Sequence, residues 1–182
     1  AKVREIEKYY EECERLGANE HQIEESQKAV ANMEVIIGDQ NRLRAVAEDF
    51  INHYETRVAE GATVAGKAMF VCMNRYIAYD LYKILIELRP EWAAKKVAAD
   101  GVELNEKDKK ELKPIEMLKL VMTRNKDDDK ELFDMLGTKD DRKEFDRQFK
   151  NPKSNFKIAI VVDMWLTGFD VPELDTIYID KP

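Results

Sequence analysis

The stretch that decides the fold is KIAIVVDMWLTGFDVPELDTIYIDKP, residues 157–182. Two short apolar runs, Ile158–Val162 and Thr176–Ile179, flank a polar turn with the sequence Thr-Gly-Phe-Asp. Runs this short, rich in β-branched residues and bounded by Gly and Pro, are typical of buried strands in a parallel sheet. Parallel sheets bind ligands beyond the carboxyl ends of their strands. We therefore expect the turn at 167–170 to lie at a ligand-binding edge.

Strand patterns alternate with helix patterns along the rest of the chain. We predict an α/β fold in which helices flank a parallel sheet. An α-helical N-terminal segment, whose last helix carries an apolar stripe from Leu43 to Tyr54, precedes the sheet. The predicted strands are 68–73, 117–122, 157–162 and 175–179. The predicted organisation is a helical segment or linker at 1–62 and a domain at 63–182, with a polar insertion without clear periodicity at about 93–116.

Composition limits the classes of function. The chain has a net charge of −7 and a pI near 5.1, which argues against binding nucleic acid through bulk electrostatics but leaves room for contacts in one groove. No apolar run approaches the ~20 residues that a membrane span requires. The two cysteines, Cys13 and Cys72, lie far apart and lack metal-ligand spacing, so we expect buried thiols in a reducing, cytoplasmic setting.

The polar turn contains residue types suited to a nucleotide or nucleic acid. Gly168 allows the backbone to approach a phosphate closely, and Thr167 offers a hydroxyl and an amide to a phosphate oxygen. Asp170 is able to accept a hydrogen bond from a ribose hydroxyl or to position a water molecule. These four residues alone favour the simpler alternative, a strand-to-loop turn in which Phe169 packs and Asp170 caps.

The wider stretch resembles motif V of the superfamily-two helicase motors. The closest wording is that of the R subunit of type I restriction enzymes, in which VVDMWLTGFDVP at 161–172 precedes a strand that reads LDTIYIDKP at 174–182. Such a long match, including the rare pair Met164-Trp165, is far more specific than a short glycine pattern. The resemblance implies that the parallel sheet is RecA-like, of the P-loop NTPase type. It also implies that residues 63–182 form most of the second RecA-like motor domain.

The resemblance also implies roles for individual residues. Gly168 and Asp170 would face the nucleotide across the cleft between the two motor domains. Thr167 would contact the DNA backbone or couple the two sites, and Asp163 would have a structural or coupling role.

Two further residues match the turn of motif IV in the same motors. Asn74 and Arg75 follow the predicted strand 68–73 and open a helix. The resemblance implies a role for both in DNA binding or coupling. A surface ion pair is the alternative for Arg75, because an isolated arginine most often has that role.

The family implies a larger parent enzyme that uses ATP and Mg²⁺ to translocate double-stranded DNA and cleaves it with a separate nuclease domain. Its partners would be DNA and the modification and specificity subunits. The sequence lacks a Gly-x-x-x-x-Gly-Lys-Ser/Thr loop and a metal-binding acidic strand, which belong to the first motor domain in this family. Because the sequence also lacks an initiator Met and stops abruptly, we expect a fragment that has no ATPase or nuclease activity alone.

Several local expectations complete the interpretation. Asp127-Asp128-Asp129 is expected to be a solvated acidic loop, since it lacks EF-hand spacing. Asp141 and Glu144 are expected to form a capping box. The rival functions are a second motor domain of another superfamily-two helicase and a non-enzymatic acidic interaction module that docks through the helix at 40–58.

Overall fold

A computed structural model describes residues 24–29, 31–32, 39–61, 66–162 and 174–180. Two compact units make up the chain, and the larger comprises Gln40–Lys181. In the smaller unit, residues 24–29 and 31–32 are helical and exposed. The helices predicted before residue 24, together with Cys13, lie outside the described residues.

The larger unit contains a four-stranded parallel sheet in the order β4-β5-β1-β6. Its strands are β1 (Lys67–Cys72), β4 (Leu118–Val121), β5 (Ile158–Val162) and β6 (Leu174–Asp180). A two-stranded antiparallel sheet pairs β2 (Lys95–Lys96) with β3 (Ile115–Glu116). All four strands predicted for the parallel sheet are confirmed, and so is the α/β class.

Five α-helices and one 3₁₀ turn occupy the described part of the larger unit. They are α1 (Gln40–Ala59), α2 (Arg75–Leu88), the 3₁₀ turn (Pro90–Ala93), α3 (Glu106–Glu111), α4 (Lys130–Leu136) and α5 (Lys139–Lys150). None of the helices among the described residues is long and apolar enough to cross a membrane.

Strands β1, β4 and β5 are buried on both faces because helices cover each side, whereas Ile177 and Ile179 of β6 are exposed. On one face Met69 and Val71 join Ala159, Val161 and Phe149 of α5 in a single apolar core. On the other face, the ring of Phe50 in α1 lies 5.4 Å from Phe70 and 4.7 Å from Tyr178, in edge-to-face contacts. Burying each large apolar side chain contributes about 1.5–3 kcal/mol, so this two-sided packing is the main source of stability.

Helix α1 packs within the same compact unit as the sheet. Its buried residues are those of the predicted apolar stripe, with Val46 only half-buried: Leu43, Ala47, Phe50, Ile51 and Tyr54. The Tyr54 hydroxyl also donates to the carbonyl of Gly66, 2.6 Å away, which joins the end of α1 to the start of β1. The boundary near residue 62 stays a prediction.

The 93–116 insertion has regular structure although its sequence shows no clear periodicity. It contains β2, β3 and α3, and the Asn105 side chain caps α3 through the backbone N–H of Asp108. Leu112 and Ile115 are buried, as is Trp92 just before the insertion, so a few apolar anchors hold a mainly polar surface segment. Six-residue helices and two-residue strands are too short to produce a periodic sequence pattern.

The prediction that the capping box begins at Asp141 is wrong, because the box begins about one turn earlier. Thr138 is the N-cap of α5: its hydroxyl accepts from the Asp141 N–H at 3.1 Å, and the Asp141 carboxylate accepts from the Thr138 N–H at 2.8 Å. These hydrogen bonds lower the pKa of the Asp141 carboxyl. Gly137 precedes the cap with φ of +71°, and a Cβ there would lie 2.8 Å from the Asp141 carboxylate, so only glycine fits.

A buried lysine lies at the amino end of the sheet. Lys67 is 1% exposed; its Nζ donates to the Phe156 carbonyl at 2.5 Å and lies 5.3 Å from the centre of the Phe149 ring. Burial, with a smaller contribution from the charge of Lys157, lowers the pKa of Lys67 from 10.5 to about 6. The amine is therefore neutral in the folded chain at pH 7.

We predict that Lys67→Met stabilises the chain at pH 7, by about 1–3 kcal/mol, and less at pH 10. Between pH 6 and 10.5 the unfolded chain binds a proton at Lys67 that the folded chain does not. The contribution of Lys67 to the free energy of unfolding therefore becomes less favourable as the pH falls through this range. Urea unfolding across this range measures the effect. Lys83→Met, at an exposed site, is the control; equal effects of both substitutions would contradict the account.

Candidate functional site

The carboxyl ends of β1 and β5 lie side by side. Cys72 at the end of β1 pairs with Val162 at the end of β5. From β1 the chain crosses to β4, two places to one side, whereas from β5 it crosses to β6, two places to the other side. Connections that leave adjacent strands in opposite directions open a crevice at their carboxyl ends, where α/β folds place ligands. We call this place the switch edge.

The predicted motif residues continue directly from this edge. Asp163 follows Val162 in the sequence, and Thr167, Gly168 and Asp170 lie in the connection that leads to β6. All four fall outside the described residues. Their roles stay predictions, and what is described is the strand end from which they continue.

Asn74 is positioned as the N-cap of α2. Its backbone is extended, with φ of −148° and ψ of 172°, and its Oδ1 accepts from the Ile77 N–H at 2.9 Å. Asparagine is among the best N-cap residues because its side-chain oxygen satisfies one of the open N–H groups of the first turn. This cap sets where the helix begins at the switch edge. A further role in DNA binding or coupling stays a prediction.

Arg75 forms an ion pair with Asp128 in the loop after β4. Its Nη2 lies 2.7 Å from Oδ1 and 2.6 Å from Oδ2 of Asp128, and its Nη1 donates to the Thr123 carbonyl. The side chains are 26% and 10% exposed, so water screens this pair less than an ordinary surface pair. The ion pair named as the alternative for Arg75 is present, and it ties the turn after β1 to the loop after β4.

The acidic loop differs from the solvated loop that the sequence suggested. Asp127 and Asp129 are exposed, as expected. Asp128 instead bonds to Arg75 and accepts from the Asn125 N–H at 2.7 Å. The two partners of the ion pair are 53 residues apart, so local spacing gave no signal for it.

Tyr76 is a further residue of the switch edge that sequence reasoning missed. It follows Arg75 in the first turn of α2 and is 83% exposed, although its ring is large and apolar. An exposed aromatic ring beside an arginine offers a surface for a partner or for nucleic acid.

Two other features of the described residues do not form a second site. A cleft of about 490 Å³ lies between β4 and α5, but its buried Lys119 already pairs with Glu116 and lies over the Phe145 ring. In the described ranges, no three His, Cys, Asp or Glu side chains are grouped so that they could hold a metal ion.

Comparison with known proteins decides the family. The family model described as type I restriction enzyme subunit R, domain 3, matches residues 1–182. The chain belongs to the type I restriction enzyme R subunit family. No solved structure matches it.

Two curated relatives of the R subunit family are similar over most of the chain. The type I restriction enzyme HindI endonuclease subunit of Haemophilus influenzae is 35% identical over 159 residues, which cover 87% of the chain and 13% of the relative. A Methanocaldococcus jannaschii protein, named as a type I restriction enzyme MjaIXP endonuclease subunit, is 35% identical over 175 residues, or 95% of the chain and 14% of the relative. The chain thus spans about one seventh of these relatives.

We predict that Asn74→Ala destabilises the larger unit by about 1 kcal/mol, whereas Asn74→Ser has a much smaller effect. Serine keeps a side-chain acceptor for the Ile77 N–H and alanine does not. Urea unfolding of both variants checks this. If serine destabilised as much as alanine, the cap would not explain the presence of Asn74.

Proposed function

We propose that this chain is part of the ATP-dependent motor by which a type I restriction enzyme R subunit translocates double-stranded DNA. The observation that supports the proposal most is the continuity of the 161–172 motif with the end of β5 at the switch edge. Family membership adds to it, since the R subunit model matches the whole chain. The chain would provide the second RecA-like domain, one wall of the cleft in which ATP and DNA bind.

The proposed division of roles follows the predicted residues. Gly168 and Asp170 would face the nucleotide. Thr167 and Asp163, with Asn74 and Arg75 across the switch edge, would contact DNA or couple the two sites. When bound, ATP and Mg²⁺ would supply the phosphoryl-transfer chemistry. A separate nuclease domain of the longer subunit would cleave the DNA.

The described residues support only one side of that cleft. They contain no cluster suited to Mg²⁺, and the sequence has no phosphate-cradling loop. Phosphoryl transfer requires cradle, metal and charge clamp together. The first motor domain would therefore hold Mg²⁺ and most of the ATP, and closure onto this chain would couple ATP binding to movement of DNA. We propose a cytoplasmic enzyme assembled with modification and specificity subunits.

The rival interaction-module hypothesis loses its main support. That hypothesis requires the apolar stripe of α1 to be available for docking. The stripe is buried within the larger unit, where Phe50 contacts Phe70 and Tyr178. The apolar stripe therefore packs against the sheet and is not exposed for docking.

We predict that the chain alone shows no ATP hydrolysis above background, and that DNA-stimulated hydrolysis appears when a first RecA-like domain of the family is joined to it. A coupled phosphate-release assay, with and without duplex DNA, measures this. Hydrolysis by the isolated chain, or none by the joined protein when that protein is folded, would contradict the motor assignment.

In the joined protein, Asp170→Ala is expected to lower DNA-stimulated ATP hydrolysis by about tenfold or more, because a polar contact at the nucleotide would be lost. The matched control is Asp100→Ala, which also removes one carboxylate but lies in the loop between β2 and α3, where its side chain is 93% exposed. Equal rates for the two variants would exclude a role for Asp170 at the nucleotide.

A further inference from the structure

We propose that Asp128 is an internal competitor for the DNA phosphate that Arg75 binds, so that the ion pair must open before the motor grips DNA. This inference rests on the proposed function, in which Arg75 belongs to the DNA-binding edge. The inference adds a regulatory contact: the Asp128 carboxylate binds Arg75 until a DNA phosphate displaces it.

The geometry divides the guanidinium into a fixed part and an exchangeable part. Nη1 is bound by the backbone carbonyl of Thr123, which belongs to the loop directly after β4. Nη2 is bound by both carboxylate oxygens of Asp128, at 2.7 and 2.6 Å. Loss of the Asp128 contact would therefore leave Nη1 bound to the Thr123 carbonyl and make Nη2 available to another acceptor.

A phosphate is a suitable replacement for this carboxylate. Guanidinium groups bind carboxylates and phosphates through the same N–H···O geometry. At 26% exposure the Arg75 side chain is still reached by solvent, and a phosphate oxygen would approach from that side. The ion pair lies at the ends of β1 and β4, next to the strand end from which the motif residues continue.

The loop retains partners when Arg75 is released. Asp128 Oδ2 accepts from the Asn125 N–H at 2.7 Å, and the Asp128 N–H donates to the Asn125 carbonyl at 3.1 Å. These local hydrogen bonds stabilise the turn without the arginine. Opening the ion pair therefore does not require the loop to unfold.

The test compares Asp128→Asn with Asp127→Asn in an R subunit of the relatives' length that carries this chain, assembled with its modification and specificity subunits. Asparagine keeps an oxygen for the Asn125 N–H but removes the charge that holds Arg75. Binding of a fluorescent duplex DNA is measured over a range of salt concentrations. We expect Asp128→Asn to tighten binding by about three- to tenfold and to steepen the salt dependence by about one phosphate contact.

The controls separate this mechanism from a change in net charge. Asp127→Asn removes the same charge from an exposed position in the same loop and is expected to change the affinity by less than about twofold. The double variant Arg75→Ala with Asp128→Asn should bind no tighter than Arg75→Ala alone. Asp128→Glu, which keeps the charge, should remain close to the unchanged protein.

Three results would overturn the proposal. The first is DNA binding by Asp128→Asn that is unchanged or weaker, when thermal unfolding shows that this variant is folded. The second is that Asp127→Asn tightens DNA binding as much as Asp128→Asn does. The third is that Asp128→Asn still tightens DNA binding when Arg75 is replaced by alanine. If Asp128→Asn does not fold, the comparison of Arg75→Ala with the unchanged protein decides, because equal affinity and equal salt dependence of the two would exclude Arg75 as the phosphate ligand for which Asp128 competes. If the unchanged assembly shows no ATP-dependent translocation, the proposed function itself fails, which is a distinct outcome.

Discussion

The parallel pairing of β1 with β5 is the constraint on which the rest of the larger unit depends. Ala68 to Cys72 pair in register with Ile158 to Val162, and all but one of these ten residues are fully buried. A pair buried on both faces must be covered on both sides, which places α5 on one face and α1 on the other. The same pairing brings the two strand ends together and creates the switch edge.

A helix cap and an ion pair position the described polar residues of this edge. Asn74 sets the start of α2, which fixes the direction of Arg75 and leaves Tyr76 in solvent. Arg75 then joins the turn after β1 to the loop after β4 through Asp128 and Thr123. These contacts directly connect the turn after β1 with the loop after β4, so a ligand that displaced Asp128 from Arg75 would change the contacts of both.

The sequence predicted the parts of the fold that produce long patterns. The predicted strands that end near Cys72 and Val162 are almost entirely apolar, and the strand that ends at Val121 is interrupted only by Lys119. The stripe of α1 has helical spacing, so these elements were identified. The capping box was misplaced because Thr138 precedes the helix by a single residue and Asp141 suits either position of the box. The short elements between 93 and 116 gave no periodic signal. The Arg75–Asp128 pair depends on how distant strands are ordered, which no local pattern encodes.

The measurement that tests the account most directly is site-specific photo-crosslinking in the assembled enzyme. A photoreactive amino acid at Tyr76, on the switch edge, is compared with one at Val58, which is 46% exposed near the end of α1, toward the amino end of the sheet. The account predicts crosslinks from position 76 to duplex DNA or to the first motor domain, in amounts that depend on ATP, and few from position 58. Equal crosslinking from both positions, or crosslinking from position 58 alone, would contradict the claim that the switch edge faces the working cleft.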